Sequence, residues 1–164
     1  MSFCIRPFTA EDWPQAREIY LQGISTGVAT FETEAPNWAG WDAAHLPFAR
    51  MTARQEGGGM VLGWAALSPV SARSVYRGVA EISVYVRNTA RGQGIGRALL
   101  EALVAESEKH GIWTLQASIF AANEASLALH RACGFREVGR RERIAQLHGQ
   151  WHDTVLMERR STTA

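Results

Sequence analysis

Apolar positions along the chain recur with two different periods, and the changes of period mark its elements. Residues 81–86 alternate: Ile82, Val84 and Val86 share one face, and Glu81, Ser83 and Tyr85 share the other, as in a β-strand. After a glycine-rich turn, Leu99, Leu100, Leu103 and Val104 return at helical spacing to about His110, with Gly111 placed as a C′ residue. Leu115, Ala117 and Ile119 alternate again over 114–120. Asn123 then opens a second helix as its N-cap, and that helix ends at Gly134. Upstream, 2–7 is a short strand. Thr9 and Asp12 are spaced as a capping box, and Trp13, Ala16, Ile19, Tyr20 and Ile24 form the apolar stripe of a first helix. Residues 35–47 hold a short helix around Trp38 and Trp41. Strands at 48–54 and 60–67 flank the hairpin signal Gly57-Gly58-Gly59, and 68–78 is a polar connection. Residues 136–158 form a closing hairpin, and 161–164 a frayed tail.

The order β-α-(α)-β-β-β-α-β-α-β-β is that of a mixed α/β domain. No repeat, linker or low-complexity block divides residues 1–164, so a single domain is expected. Of 164 residues, 46% are hydrophobic and 20% charged, which suits a globular chain with a real core. The formal net charge of +1 gives no general affinity for nucleic acid or membrane. Two cysteines, Cys4 and Cys133, make neither a disulfide framework nor a cysteine-rich metal site. His152 and Asp153 find no third ligand at suitable spacing, so no metal is expected. No apolar run has membrane-spanning length and no leader is visible, so the expected compartment is the cytoplasm.

Candidate chemistry centres on the turn Arg91-Gly92-Gln93-Gly94-Ile95-Gly96-Arg97. It brings backbone amides to a helix N-terminus, where they and the dipole favour an anion, and its two arginines add full charges. The chain has no Gly-Lys-Ser/Thr and no Gly-x-Gly-x-x-Gly, which excludes a P-loop and the dinucleotide fingerprint. What remains is a pyrophosphate cradle at a strand-to-helix turn.

The spacing Arg91-x-x-Gly94-x-Gly96 after a Val-x-Val strand resembles the acetyl-CoA motif of the GNAT N-acetyltransferases. Asn123-x-x-Ser126, followed by Leu127, His130 and Gly134-Phe135, resembles a second pattern of the same family: Asn, a small residue at +3, an aromatic at +7, then Gly-Phe. The runs Thr30-Phe31-Glu32, 80–86 and Gly149-x-Trp151-x-Asp153 resemble the branch that acetylates phosphinothricin and methionine sulfoximine. The resemblance covers nearly the whole chain. It implies the GNAT fold: a central mixed, mostly antiparallel sheet of about seven strands flanked by helices. It also implies acetyl-CoA as co-substrate and a homodimer.

By the same resemblance, Glu81 is the base that takes the proton of the acceptor ammonium. The backbone of Val84, Tyr85 and Val86 pairs with the pantetheine arm, and residues 91–97 hold the pyrophosphate. Asn123 and Ser126 also face the cofactor, while Asn123 serves equally well as an N-cap. Thr30, Phe31, Glu32, Ser83, Arg73 and Tyr76 are acceptor-pocket candidates, with a loop arginine matching a carboxylate. Trp151 reads as a core or interface contact. Many family members carry tyrosine where this chain has His130, so His130 reads either as a proton donor to the leaving thiolate or as a packed histidine. The implied acceptor is the amine of a small amino acid or analogue. A polyamine, a peptide or protein amine, and a CoA-binding module without catalysis are the alternatives.

Overall fold

The structure is a computed structural model and describes residues 2–164. Its strands are β1 (Phe3–Pro7), β2 (Met51–Gln55), β3 (Val61–Pro69), β4 (Val79–Val86), β5 (Thr114–Phe120), β6 (Arg136–Leu147) and β7 (Gln150–Arg160). Its helices are α1 (Trp13–Ser25), α2 (Trp38–Ala44), α3 (Ile95–Lys109) and α4 (Glu124–Ala132). The seven strands form one mixed sheet in the order β1-β2-β3-β4-β5-β7-β6, antiparallel except between β4 and β5. The expected architecture is thus observed.

Strand alternation puts a separate core on each face of the sheet. On one, Ile82, Leu115, Ala117 and Met157 pack with Leu99, Leu100 and Leu103 of α3. Those three leucines are fully buried, and truncating one such leucine to alanine typically costs about 2–5 kcal/mol. On the other face, α1 and α2 lay Trp13, Ile19, Tyr20 and Trp41 over Trp64 and Tyr85. The aromatic rings there stack or meet edge to face, Trp64 on Tyr85 at 5.0 Å and Tyr20 on Tyr85 at 4.9 Å between centroids. Glu81, Ser83 and Tyr85 therefore face α1, and Ile82, Val84 and Val86 face α3, as the alternation predicts.

The local start and stop signals act much as read. The Thr9 N–H donates to Asp12 Oδ2 at 2.8 Å, closing the capping box. The box first makes a 3-10 turn at Ala10–Asp12, and α1 begins at Trp13 with proline in its first turn. Asp12 is buried and its charge is met by the Arg54 guanidinium.

Two expectations are corrected. The strand expected at 48–54 starts only at Met51, because Ala49 takes φ 53° and leaves the β region. The tail 161–164 is not frayed. The Ser161 hydroxyl accepts the N–H groups of Thr163 and Ala164, and the Thr163 hydroxyl donates to Glu108 at 2.9 Å.

Candidate active site

β4 and β5 are paired only at Val79–Thr114, Ala80–Leu115 and Glu81–Gln116. Beyond that rung the two strands part. β4 stays fully paired with β3 up to Val86, but its groups facing β5 have no ladder partner. A cleft of about 840 Å³ opens in the fork and runs from the start of α3 to the loop after α1.

The α3 end of the cleft is the cradle. Gly94 caps α3 in the left-handed region at φ 80°, and Gly92 has φ 76°. L-residues with a Cβ rarely hold that backbone, which is why glycine stands at both positions. A Cβ at either would meet no atom within 4 Å, so their backbone borders open space. Arg91, Gly92, Gly94, Ile95, Gly96 and Arg97 line this end, whereas Gln93 is exposed and does not. Arg97 is braced by Glu101 at 2.8 Å, and Arg91 stands exposed. Open amides, a 15-residue helix pointing its N-terminus at them and two arginines suit a diphosphate.

Along the cleft, Val84, Tyr85 and Val86 present the unpaired edge of β4, which fits a pantetheine arm laid in as an extra strand. Asn123 and Ser126 close it from the α4 side. Asn123 does two jobs within the protein: its Oδ1 accepts from the Ser126 N–H at 3.2 Å, and its Nδ2 donates to the Val28 carbonyl at 3.3 Å. It thereby ties the N-terminus of α4 to the loop carrying Thr30, Phe31 and Glu32.

His130 lines the cleft one helical turn further on and is buried. Its Nδ1 lies 2.7 Å from the Ser126 carbonyl. A carbonyl only accepts, so Nδ1 carries the proton and Nε2 presents a lone pair. Burial pushes the His130 pKa down, against the raising effect of that hydrogen bond. In this neutral tautomer His130 has no Nε2 proton to give, which argues for the packing reading over the donor one.

The acceptor end gathers Thr30, Phe31, Glu32, Glu81 and Ser83. The Phe31 ring tilts against Phe120 at 4.4 Å, and the Thr30 hydroxyl accepts the Glu32 N–H at 3.1 Å. Glu81 is half-buried, and its Oε1 accepts from Gln116 Nε2 at 3.1 Å. Tyr85 has its pKa raised, first by burial and then by Tyr20.

Arg73 and Tyr76 stand apart from this group. They lie on the exposed connection 70–78, Arg73 over the Tyr76 ring at 5.6 Å, and neither lines the cleft of its own chain. The walls also contain residues not singled out in the sequence: Gln116, Phe120, Arg141, Thr154 and Leu156. The alternation of β5 contains a signal for Gln116 and Phe120, which fall opposite Leu115, Ala117 and Ile119. Nothing local marks Arg141. Among the described residues no group of three or more potential ligands could hold a metal.

The comparisons agree with this geometry. Residues 10–135 match the model of the Acetyltransferase (GNAT) family. A phosphinothricin N-acetyltransferase from Alcaligenes faecalis is 38% identical over 164 residues, covering 94% of this chain and 81% of the relative. An L-methionine sulfoximine/L-methionine sulfone acetyltransferase from Pseudomonas paraeruginosa is 32% identical, covering 96% of this chain and 94% of the relative. Among solved structures, a GNAT superfamily phosphinothricin acetyltransferase from Sinorhizobium meliloti in complex with acetyl-CoA superposes with a TM-score of 0.88 at 35% identity. It covers 98% of this chain and 89% of the other. With the splayed strands, the glycine cradle and the open β4 edge in place, the chain belongs to the Acetyltransferase (GNAT) family and is an enzyme that transfers an acyl group from acetyl-CoA.

Proposed function

We propose that this enzyme acetylates the amine of a small amino acid or amino-acid analogue, of the phosphinothricin and methionine sulfoximine kind. The observation that carries the reading is the carboxylate of Glu81, held by Gln116 at the last shared rung of β4 and β5. It lines the same cleft as Phe31 and Glu32. A module that only bound CoA would have no use for a carboxylate there.

In this reading acetyl-CoA supplies the activated thioester, its diphosphate on residues 91–97 and its pantetheine along Val84, Tyr85 and Val86. Glu81 takes the ammonium proton, directly or through water, so that the amine attacks with a free lone pair. An unpaired N–H on the β4 edge steadies the thioester oxygen as charge builds on it. Thr30, Ser83 and Glu32 border the amine, and Phe31 walls the acceptor side chain. The Phe31 and Phe120 rings, in contact at 4.4 Å between centroids, form an apolar wall suited to the side chain of a compact acceptor.

We further propose a homodimer in the cytoplasm. Val70, Val75 and Tyr76 are exposed on one connection, and Val138, Ile144 and Trp151 on the β6–β7 arm, which is apolar surface of the kind a second copy covers. Such a dimer would bring Arg73 to a cleft as a contribution from the partner. No described helix is long and apolar enough to cross a membrane.

A thiol-release assay with acetyl-CoA across free amino acids, phosphinothricin, methionine sulfone, spermidine and a short peptide tests the acceptor. Turnover confined to the amino-acid group supports the proposal, and preference for spermidine or the peptide overturns it. Sedimentation of the parent tests the dimer.

A further inference from the structure

From the placement of Arg141 we propose that it binds an anionic side-chain group of the acceptor, so that the enzyme prefers amino acids with a negatively charged side chain over neutral ones. This rests on the acceptor reading above and narrows it.

The arginines around Arg141 on the β6–β7 arm are engaged. Arg136 pairs with Glu158, Arg140 with Asp153, and Arg159 with Glu108, while Arg143 lies over the Trp151 ring. Arg141 has no hydrogen bond or ion pair among the described residues, and it is the arginine of this arm that lines the cleft. A guanidinium without an internal partner, exposed at the wall of a substrate cleft, is open to a counter-charge brought by the acceptor.

The backbone directs it there. Arg141 is a regular rung opposite Thr154, so strand alternation puts it on the face of Thr154 and Phe120, and the register shifts only after it, before Ala145. Asp153 pins this shift: its Oδ2 accepts from Arg140 Nε at 2.8 Å and Nη2 at 2.6 Å, and its Oδ1 accepts the Arg143 N–H at 2.8 Å. Arg143 takes φ 45°, the turn that this contact holds. Asp153 thus fixes the irregular segment that follows Arg141.

The location decides which anion is read. Arg141 pairs with Thr154, and Thr154 with Phe120. Phe120 lies four residues along β5 from Gln116, the rung of Glu81, which is about 13 Å at the strand rise. β5 and β7 stand between β4 and β6, which adds roughly 14 Å across the sheet. An acceptor carboxylate one carbon from the reacting amine stays near Glu81. The two legs combine to roughly 19 Å between the Glu81 and Arg141 backbones, so an anion at the end of the acceptor side chain, laid over Phe120, meets Arg141 only with the arginine extended along the sheet toward it. A carboxylate or phosphinate fits equally, since both offer paired oxygens to a guanidinium.

The test compares phosphinothricin, with a charged phosphinate, and methionine sulfone, with a neutral side chain, in parent, Arg141→Gln and Arg141→Lys enzymes. Arg141 is exposed and makes no internal bond, so the variants should keep the parental melting temperature and acetyl-CoA affinity. Arg141→Gln should lower kcat/KM for phosphinothricin about tenfold or more, through KM, and change methionine sulfone by less than about twofold. Arg141→Lys should restore part of the loss. An equal fall for both acceptors, or no fall for either, overturns the proposal. A parent that releases thiol with neither compound overturns the acceptor reading instead, and this proposal with it.

Discussion

Gln116 Nε2 donates to Glu81 Oε1 across 3.1 Å, at the last rung before β4 and β5 separate. The carboxylate is thus oriented by the neighbouring strand at the point where the cleft begins. One oxygen is engaged, and the other makes no hydrogen bond among the described residues.

Glu81→Gln keeps the size of the side chain and removes the carboxylate proposed as the base. General-base groups contribute typically ~10²–10⁴-fold, so turnover should fall by that order while acetyl-CoA affinity holds. Stopped-flow thiol release and calorimetry read the two quantities. A variant with parental turnover and an unchanged pH–rate profile would remove Glu81 from the mechanism.

Gly94 tests the cradle. Valine there must hold φ 80°, which costs roughly 1–3 kcal/mol for a residue with a Cβ, and its side chain enters the space above the α3 amides. Acetyl-CoA binding should weaken by about tenfold or more, with less effect on the acceptor KM. Calorimetry showing parental acetyl-CoA affinity would put the diphosphate elsewhere.

His130 predicts an acid-side loss of stability. Its pKa is lowered from the ordinary 6.5 by burial. Between 6.5 and the lower folded value, the unfolded chain binds a proton that the folded chain excludes. Stability is therefore complete above pH 6.5 for this group and declines as pH falls through the window. His45, half-buried and stacked on Trp41, is also lowered by desolvation and acts in the same direction. Chemical denaturation from pH 7.5 to 5 should show a shallower decline for His130→Gln than for the parent; identical slopes would contradict it.

Gly78 limits packing where β4 and β5 meet. Its carbonyl accepts the Trp113 N–H at 2.8 Å and the Thr114 N–H at 3.0 Å, and a Cβ added there would overlap the Trp113 indole. Overpacking of this kind costs about 1–3 kcal/mol, so Gly78→Ala should lower Tm by several degrees in calorimetry. An unchanged Tm would mean that Trp113 moves aside freely.

Short-range chemistry determined the elements and the cradle. The alternation of Glu81 to Val86, the Asn123 cap and the glycines before Ile95 act within a few residues of themselves, so their structural meaning is legible without a fold. Only the tertiary structure decided what those elements meet. Gln116 reaches Glu81 because β4 and β5 run parallel, although 35 positions separate them. The tail is held because Glu108 of α3 passes beside Thr163. Arg73 lies on the exposed connection after β3, away from its own cleft, and Arg141 lines the cleft because β6 pairs with β7 in the register that sets Arg141 opposite Thr154. These contacts join residues distant along the chain, and periodicity describes only a residue's face, not which distant residue stands across from it.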